Sequence, residues 1–342
     1  PKVQGMVAVS AVRNLTFDER VGVAGQTFAS HILLWDFRQL VRPQILMRSP
    51  NEVLTFRFNP TVSGLVAAGC ITGQVVLFDI SKSLSALSSR NKPTSSEEEE
   101  STTATLQPIY ISHVDHSHNR PVADLFWLPP STQINSKGRL VDEEHLDGVS
   151  HQFITVAGDG HVMVWDTRYE KIAVDELKHI GRSKNVPQEK TKDGGKDSFR
   201  PLWAPIFNAH IKKVEGVGEL SLCKVACDGL LNESITSRSK LDGDPRSRLL
   251  LSTEEGNLLL TDICIAPVNQ KNGEEEDAHE ETTRQFVRWI APKEHARPCV
   301  TLQQSPFFAD VVVSVSDWCF HIWKVGQDKP LFVSPPSHTY MT

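Results

Sequence analysis

The sequence predicts an all-β fold, a β-propeller built by repeating a small four-stranded unit. Three observations predict it. Five short apolar segments close in the same way: SHILLWDF (30–37), GQVVLFDI (73–80), GHVMVWDT (160–167), GNLLLTDI (256–263) and WCFHIWKV (318–325). Each follows a second apolar run and a tight turn, in RVGVAG, GLVAAGCITG, QFITVAGDG, RLLLSTEEG and DVVVSVSD. Candidate outer strands then follow in PQILM (43–47), PIYIS (108–112), KIAVDEL (171–177), RQFVRWI (284–290) and PLFVS (330–334). A recurring unit of about 40–45 residues ending on a Trp-Asp-like pair is the signature of a WD-repeat blade.

The first and second strands of a blade are joined by a turn of the form Pro-x-x-x-small, as in Pro60–Gly64 and Pro306–Asp310. Proline fixes φ, and Gly or Asp tolerates the reversal between antiparallel strands. Pro1–Gly5 falls in the same register, so the chain is expected to start inside a blade. SHTYMT (337–342) reads as the lead-in to another. The expected blades span about 1–47, 53–112, 121–177, 209–290 and 297–334. At least five are legible, and a seven- or eight-bladed ring is the expected parent.

Marker spacing separates blades from insertions. Trp35 to Phe78 is 43 residues, an ordinary blade, whereas Phe78–Trp165, Trp165–Thr261 and Thr261–Trp323 are 87, 96 and 62. The excess sits in polar stretches at 81–106, 131–150, 181–208, 228–247 and 264–283, too poor in large apolar residues to make strands of their own. Four of these lie between first and second or third and fourth strands, and so are expected on one face. Segment 181–208, read as the link to the next blade, is expected on the other. The four together carry a net charge of −9 and 181–208 carries +3. Solvated loops are the plainer reading of such runs.

Composition excludes several classes. The net charge of −6 gives no footprint for nucleic acid. No apolar run approaches the ~20 residues that span a bilayer. Six cysteines lie mostly in strand-like runs, which suits reduced buried thiols; Cys223 and Cys227 lack a second pair to complete a zinc site. DGGKDS (193–198) fails as a phosphate loop, with Lys190 where glycine is required and Asp197 where Ser or Thr is. No catalytic constellation is visible, so no enzyme and no cofactor is expected.

HVDHSH (113–118) could suggest a metal, but a structural role fits its last histidine better. In WD repeats a histidine leading into the first strand bonds to an Asp of the tight turn and a Trp of the third strand. His118, Asp159 and Trp165 suit those roles, and His210 and His295 recur at corresponding lead-ins. The other structural blade positions are Trp35, Asp36, Phe78, Asp79, Asp166, Asp262 and Trp323.

Several segments resemble the WD-repeat dynein intermediate chains, especially the axonemal inner-arm type: SHILLWDFRQLVRPQILMRSPNEVLTFRFNP (30–60), GLVAAGCITGQVVLFDIS (64–81), RPVADLFWLPP (120–130) and WKVGQDKPLFVSPPSHTYMT (323–342). Gly69, Cys70, Gly73 and Gln74 are closer to this group than to a generic repeat. The resemblance implies a non-catalytic subunit of the cytoplasm and ciliary axoneme. Its propeller would bind a dynein heavy-chain tail beside a second intermediate chain, and an N-terminal arm would carry light chains. The fourth blade departs most, with Thr261 in place of Trp. Rival readings are an outer-arm or cytoplasmic intermediate chain, and a WD-repeat substrate receptor of a ubiquitin ligase.

Overall fold

The computed structural model describes residues 6–11, 15–23, 29–37, 41–90, 103–169, 188–191, 198–201, 203–213, 219–227, 245–264, 287–291, 297–308 and 310–341. Among them the chain is WD40 propeller architecture: five four-stranded sheets, one small hairpin and two short α-helices. The chain divides into two compact units, residues 1–127 with 167–205, and 128–166 with 206–342.

In the first sheet β1 (Met6–Ser10), β2 (Ser30–Asp36) and β3 (Ile45–Ser49) run antiparallel. The partner of SHILLWD is therefore MVAVS and not RVGVAG. Val21 and Gly22 of that segment lie in helix α1 (Phe17–Gly22), and its last residues are outside the described set. The helix wins because Thr16 and Glu19 form a capping box, each side chain accepting the other's backbone N–H.

β4 (Val53–Phe58), β5 (Leu65–Cys70) and β6 (Val75–Asp79) begin the second sheet. The insert that follows is not structureless, contrary to expectation. Helix α2 (Ser81–Arg90) opens it and buries Leu84, and β7 (Ala104–Leu106) closes it by pairing parallel to β3. β8 (Tyr110–Ile111) then completes the second sheet. Alternate residues of the first two sheets, from Ile32 and Leu34 to Val66, Ala68, Val76 and Phe78, make one apolar core. β9 (Val122–Trp127) packs on the other side of the second sheet, where Gly69 leaves room for Val122: a Cβ there would fall 2.4 Å from Val122 Cγ1.

The third sheet has the order β14-β11-β10-β9, with β10 (Gln152–Ala157), β11 (His161–Asp166) and β14 (Phe207–His210). Its outer strand is thus not the expected 171–177, which lies outside the described residues. FNAH takes the place because its flanks continue the ladder, Ile206 N–H bonding Val164 O at 2.8 Å and Ile211 N–H bonding Gly160 O at 2.8 Å. Segment 181–208 consequently connects third and fourth strands, as 81–106 and 264–283 do. It leaves the same end of its sheet as the connections between first and second strands, not the opposite end. It also forms a hairpin, β12 (Gln188–Thr191) with β13 (Ser198–Pro201).

The fourth sheet is β15 (Leu222–Cys227), β16 (Arg248–Thr253), β17 (Leu258–Asp262) and β18 (Val287–Ile290). The fifth is β19 (Thr301–Gln304), β20 (Val311–Val315), β21 (Phe320–Lys324) and β22 (Phe332–Val333). Ala226, Leu250, Leu260, Leu302, Val312 and Trp323 bury together between these two sheets.

Candidate interaction surface

Each blade marker is set by its place on the third strand. Trp165 stands opposite Phe153 and Trp323 opposite Val312, and both Trp side chains are buried. Each indole N–H then reaches diagonally to a hydroxyl two residues further along the second strand. Trp165 Nε1 donates to Thr155 Oγ1 at 2.9 Å, and Trp323 Nε1 donates to Ser314 Oγ at 2.8 Å. A buried indole needs such an acceptor. The hydroxyl half of the pair escaped the sequence reading, although a Ser or Thr inside an otherwise apolar strand was a signal for it.

Where the Trp is lost, so is its acceptor. Thr261 faces Leu249 and turns its own hydroxyl to Leu249 O at 3.2 Å; the diagonal position is Leu251. In the second sheet Phe78 faces Val66 and the diagonal residue is Ala68. Trp35 differs again, being only half-buried, because it stands opposite Val7 on the face of the first sheet turned away from the core.

The Asp that follows the marker ties down the connecting segments. Buried Asp166 accepts from Gln152 Nε2 at 3.0 Å, while Gln152 clamps both backbone groups of Ile134 inside the 131–150 segment. Buried Asp262 accepts from Ser247 Oγ at 2.6 Å and from Cys264 N–H at 3.1 Å. It thereby joins the end of one insert to the start of the next. Asp79 caps Ser81 N–H at 2.9 Å at the start of helix α2. Asp36 is buried at the end of β2, opposite Met6. Between the third and fourth sheets, Arg246 pairs with Glu143 at 2.8 Å, linking the 131–150 and 228–247 inserts.

The tight turns occupy the other end of the strands. Asp159 is buried and accepts from His161 N–H at 3.1 Å, and Gly160 takes φ 74°. His118 is buried, its N–H on Gly73 O at 3.3 Å. His210 is not at a first-strand lead-in. It ends β14, exposed, and stacks on its cross-strand partner His161 with centroids 4.5 Å apart. Burial, then His161 and Lys212, lower its basicity, against a pull from Asp159 and Glu219. His295 lies outside the described residues.

All six cysteines are free thiols. Burial raises Cys70 to about 11 and Cys223 to about 12. Among the described residues no group of three or more His, Cys, Asp or Glu is gathered for a metal, and no helix is long and apolar enough to cross a membrane. What the described chain offers is surface, including exposed Phe307 and Phe308 at one turn and Phe332 and Val333 on an edge strand.

Repeated four-stranded sheets, aromatic–Asp markers and indole–hydroxyl pairs define a WD-repeat propeller protein. The chain belongs to the family of the dynein axonemal intermediate chain 3 WD40 domain, whose model matches residues 1–245. It is similar to dynein axonemal intermediate chain 3 of Danio rerio, 25% identical over 95% of this chain and 36% of that protein. The Homo sapiens protein of the same name is 26% identical over 95% of this chain and 40% of its own length. A shorter match, 24% identical over 45% of this chain and 20% of the relative, is to the 70 kDa intermediate chain of the flagellar outer arm of Chlamydomonas reinhardtii. The chain thus spans less than half the length of these curated relatives.

Proposed function

We propose that this protein is a non-catalytic intermediate chain of an axonemal inner-arm dynein. Its WD-repeat sheets bind the heavy-chain tail, beside a second intermediate chain, and so assemble the motor in the cilium or flagellum. Light chains join through a region N-terminal to these sheets. The observation that carries the reading is the extent of similarity. Axonemal intermediate chain 3 proteins align with 95% of the chain, a ciliary dynein intermediate chain 3 with 85% and the flagellar outer-arm relative with 45%, which supports an axonemal intermediate chain; the inner-arm type rests on the sequence resemblance. The physical role draws on the architecture: buried sheets fix the junctions at which the connecting segments leave and rejoin them, and a large subunit interface of ~2,000 Å² or more needs a rigid platform.

Tagged full-length protein, extracted from axonemes in stages, tests this. Co-purification with an inner-arm heavy chain is the expected result. Travel with outer-arm heavy chains would move the protein to the rival arm. Recovery with a ubiquitin ligase and no heavy chain would end the dynein reading. Loss of the subunit should remove the assembled arm and leave ATPase chemistry intact in the free heavy chain.

A further inference from the structure

The turn between β19 and β20 carries two neighbouring phenylalanines into solvent, Phe307 at 80% exposure and Phe308 at 62%. Its described residues are hydrogen-bonded. Ser305 Oγ accepts from both Phe307 N–H and Phe308 N–H at 3.2 Å, and Ser305 N–H and Val311 N–H close the ring on Val311 O and Phe308 O at 2.8 and 3.2 Å.

The second sheet contains the same turn. Asn59 Oδ1 accepts from Thr61 N–H at 2.8 Å and Val62 N–H at 2.7 Å, and Asn59 and Leu65 close it on Leu65 O and Val62 O. Pro60 and Pro306 occupy matching places. That turn needs no aromatic residue: Thr61 and Val62 stand where Phe307 and Phe308 do. The second sheet is packed on both sides, by the first sheet's core and by β9, and there Thr61, the counterpart of Phe307, is still exposed while Val62 is half-buried. Folding therefore accounts for the turn and not for the Phe307 ring.

Two rigidly presented phenyl rings in water are disfavoured unless something receives them, and buried aromatic anchors dominate protein interfaces. Among the described residues the neighbouring charges cancel. Asp310 and Lys324 neutralise each other at 3.3 Å, and Gln303 and Gln304 lie on the preceding strand. A polyanion or an anionic lipid surface would call for basic residues here. A neutral aromatic knob suits a protein surface with an apolar pocket.

We propose that Phe307, flanked by Phe308, is an aromatic anchor that seats in an apolar pocket of a protein partner. This rests on the function proposed above, which makes that partner the dynein heavy chain. The test replaces the pair with the residues of the matching turn, Phe307→Thr with Phe308→Val, in the full-length protein. Binding to a purified heavy-chain tail fragment is measured by calorimetry at low and high salt, with the melting temperature recorded alongside. The expected result is an unchanged melting temperature, affinity at least about 30-fold weaker, as loss of an anchoring aromatic gives, and little salt dependence of the wild-type affinity. Wild-type binding that the double variant retains would overturn the anchor and leave the dynein reading standing. A wild-type protein that does not bind the fragment would overturn both. Loss of melting stability with unchanged binding would make the rings structural. Wild-type binding to neutral phosphatidylcholine vesicles, or self-association, that the variant abolishes would assign the knob to lipid or to a second copy, and the proposal would fail.

Discussion

Trp165 and Trp35 carry the same marker in two environments, and replacing each by Ala separates packing from sequence pattern. Trp165 has no exposed surface and stands opposite Phe153, the rings stacked with centroids 6.4 Å apart. A fully buried Trp hides ~200–250 Å², worth ~5–6 kcal/mol at ~25 cal/mol/Å² as an upper bound. Measured truncations of buried aromatics cost ~3–5 kcal/mol, and the lost indole bond to Thr155 adds ~1 kcal/mol. Trp165→Ala should therefore cost about 4–6 kcal/mol. Trp35 is half-buried, on the face of its sheet turned away from the described core, so its truncation removes fewer contacts and should cost about 2 kcal/mol. Urea denaturation of the two variants measures the difference, and hydrogen exchange over 152–157 and 161–166 shows whether Trp165→Ala loosens its own sheet. A cost for Trp165→Ala below ~1 kcal/mol, or equal costs for both, would refute the reasoning.

Glycine positions give a second contrast. Gly73 holds φ 84°, and a Cβ there would lie 1.9 Å from His118 O, so Gly73→Ala should cost about 3 kcal/mol or more. Gly148 holds φ 73° in open space, so Gly148→Ala should cost only the ~1 kcal/mol of left-handed backbone, both by thermal melting. Asn59→Ala removes the acceptor of two turn N–H groups and should lower stability by ~1 kcal/mol, while Asn59→Ser should recover most of it, as Ser305 does in the fifth sheet. Iodoacetamide at pH 8 should label half-buried Cys264 or Cys319 well before Cys70, whose buried thiol is held at about 11; early labelling of Cys70 would contradict its burial. His210 has a lowered folded-state basicity, so the unfolded chain binds more protons as pH falls through the ordinary histidine range. Its contribution is present above about 6.5 and lost below. The protection of the β14 amides, taken relative to their intrinsic exchange at each pH, should therefore fall below that pH in the wild type and much less in His210→Asn.

The all-β class, the five third strands and most Asp markers were legible because alternation and turn residues are local signals. The misplaced outer strand of the third sheet shows the limit. KIAVDEL has better strand composition than FNAH, yet FNAH takes the edge of β11, since a short edge strand is chosen by ladder continuity more than by propensity. RVGVAG failed for a different reason: a two-residue capping signal, Thr16 with Glu19, outweighed an apolar pattern. The polar inserts concealed α2, β7 and Ile134, because a few apolar residues anchored by a neighbouring sheet give secondary structure to parts of a segment that composition alone marks as loose. Phe307 and Phe308 sat in a segment recognised only as a turn. Their meaning emerged from comparison with Thr61 and Val62, which needs hydrogen-bond geometry and exposure.

How a sheet tolerates connections of such different lengths follows from the Asp at the end of its third strand. Lengthening a loop costs little entropy, since closure grows only as the logarithm of length, ~0.6 kcal/mol per doubling. The danger is fraying at the base, where the loop would pull apart the last strand pairs. Asp262 opposes this by holding Ser247, where one insert rejoins the sheet, and Cys264, where the next departs. Asp166 does the same through Gln152 for the 131–150 segment. The hydrogen bonds lie at the junction and are indifferent to what is inserted beyond it. The fourth sheet can therefore forgo its Trp and still carry two long inserts, because Thr261 satisfies its own hydroxyl on Leu249 and Asp262 is retained. The aromatic of the pair serves packing between sheets, which can be met by Leu and Thr. The carboxylate serves the loop junctions, and at those junctions no apolar residue could replace it.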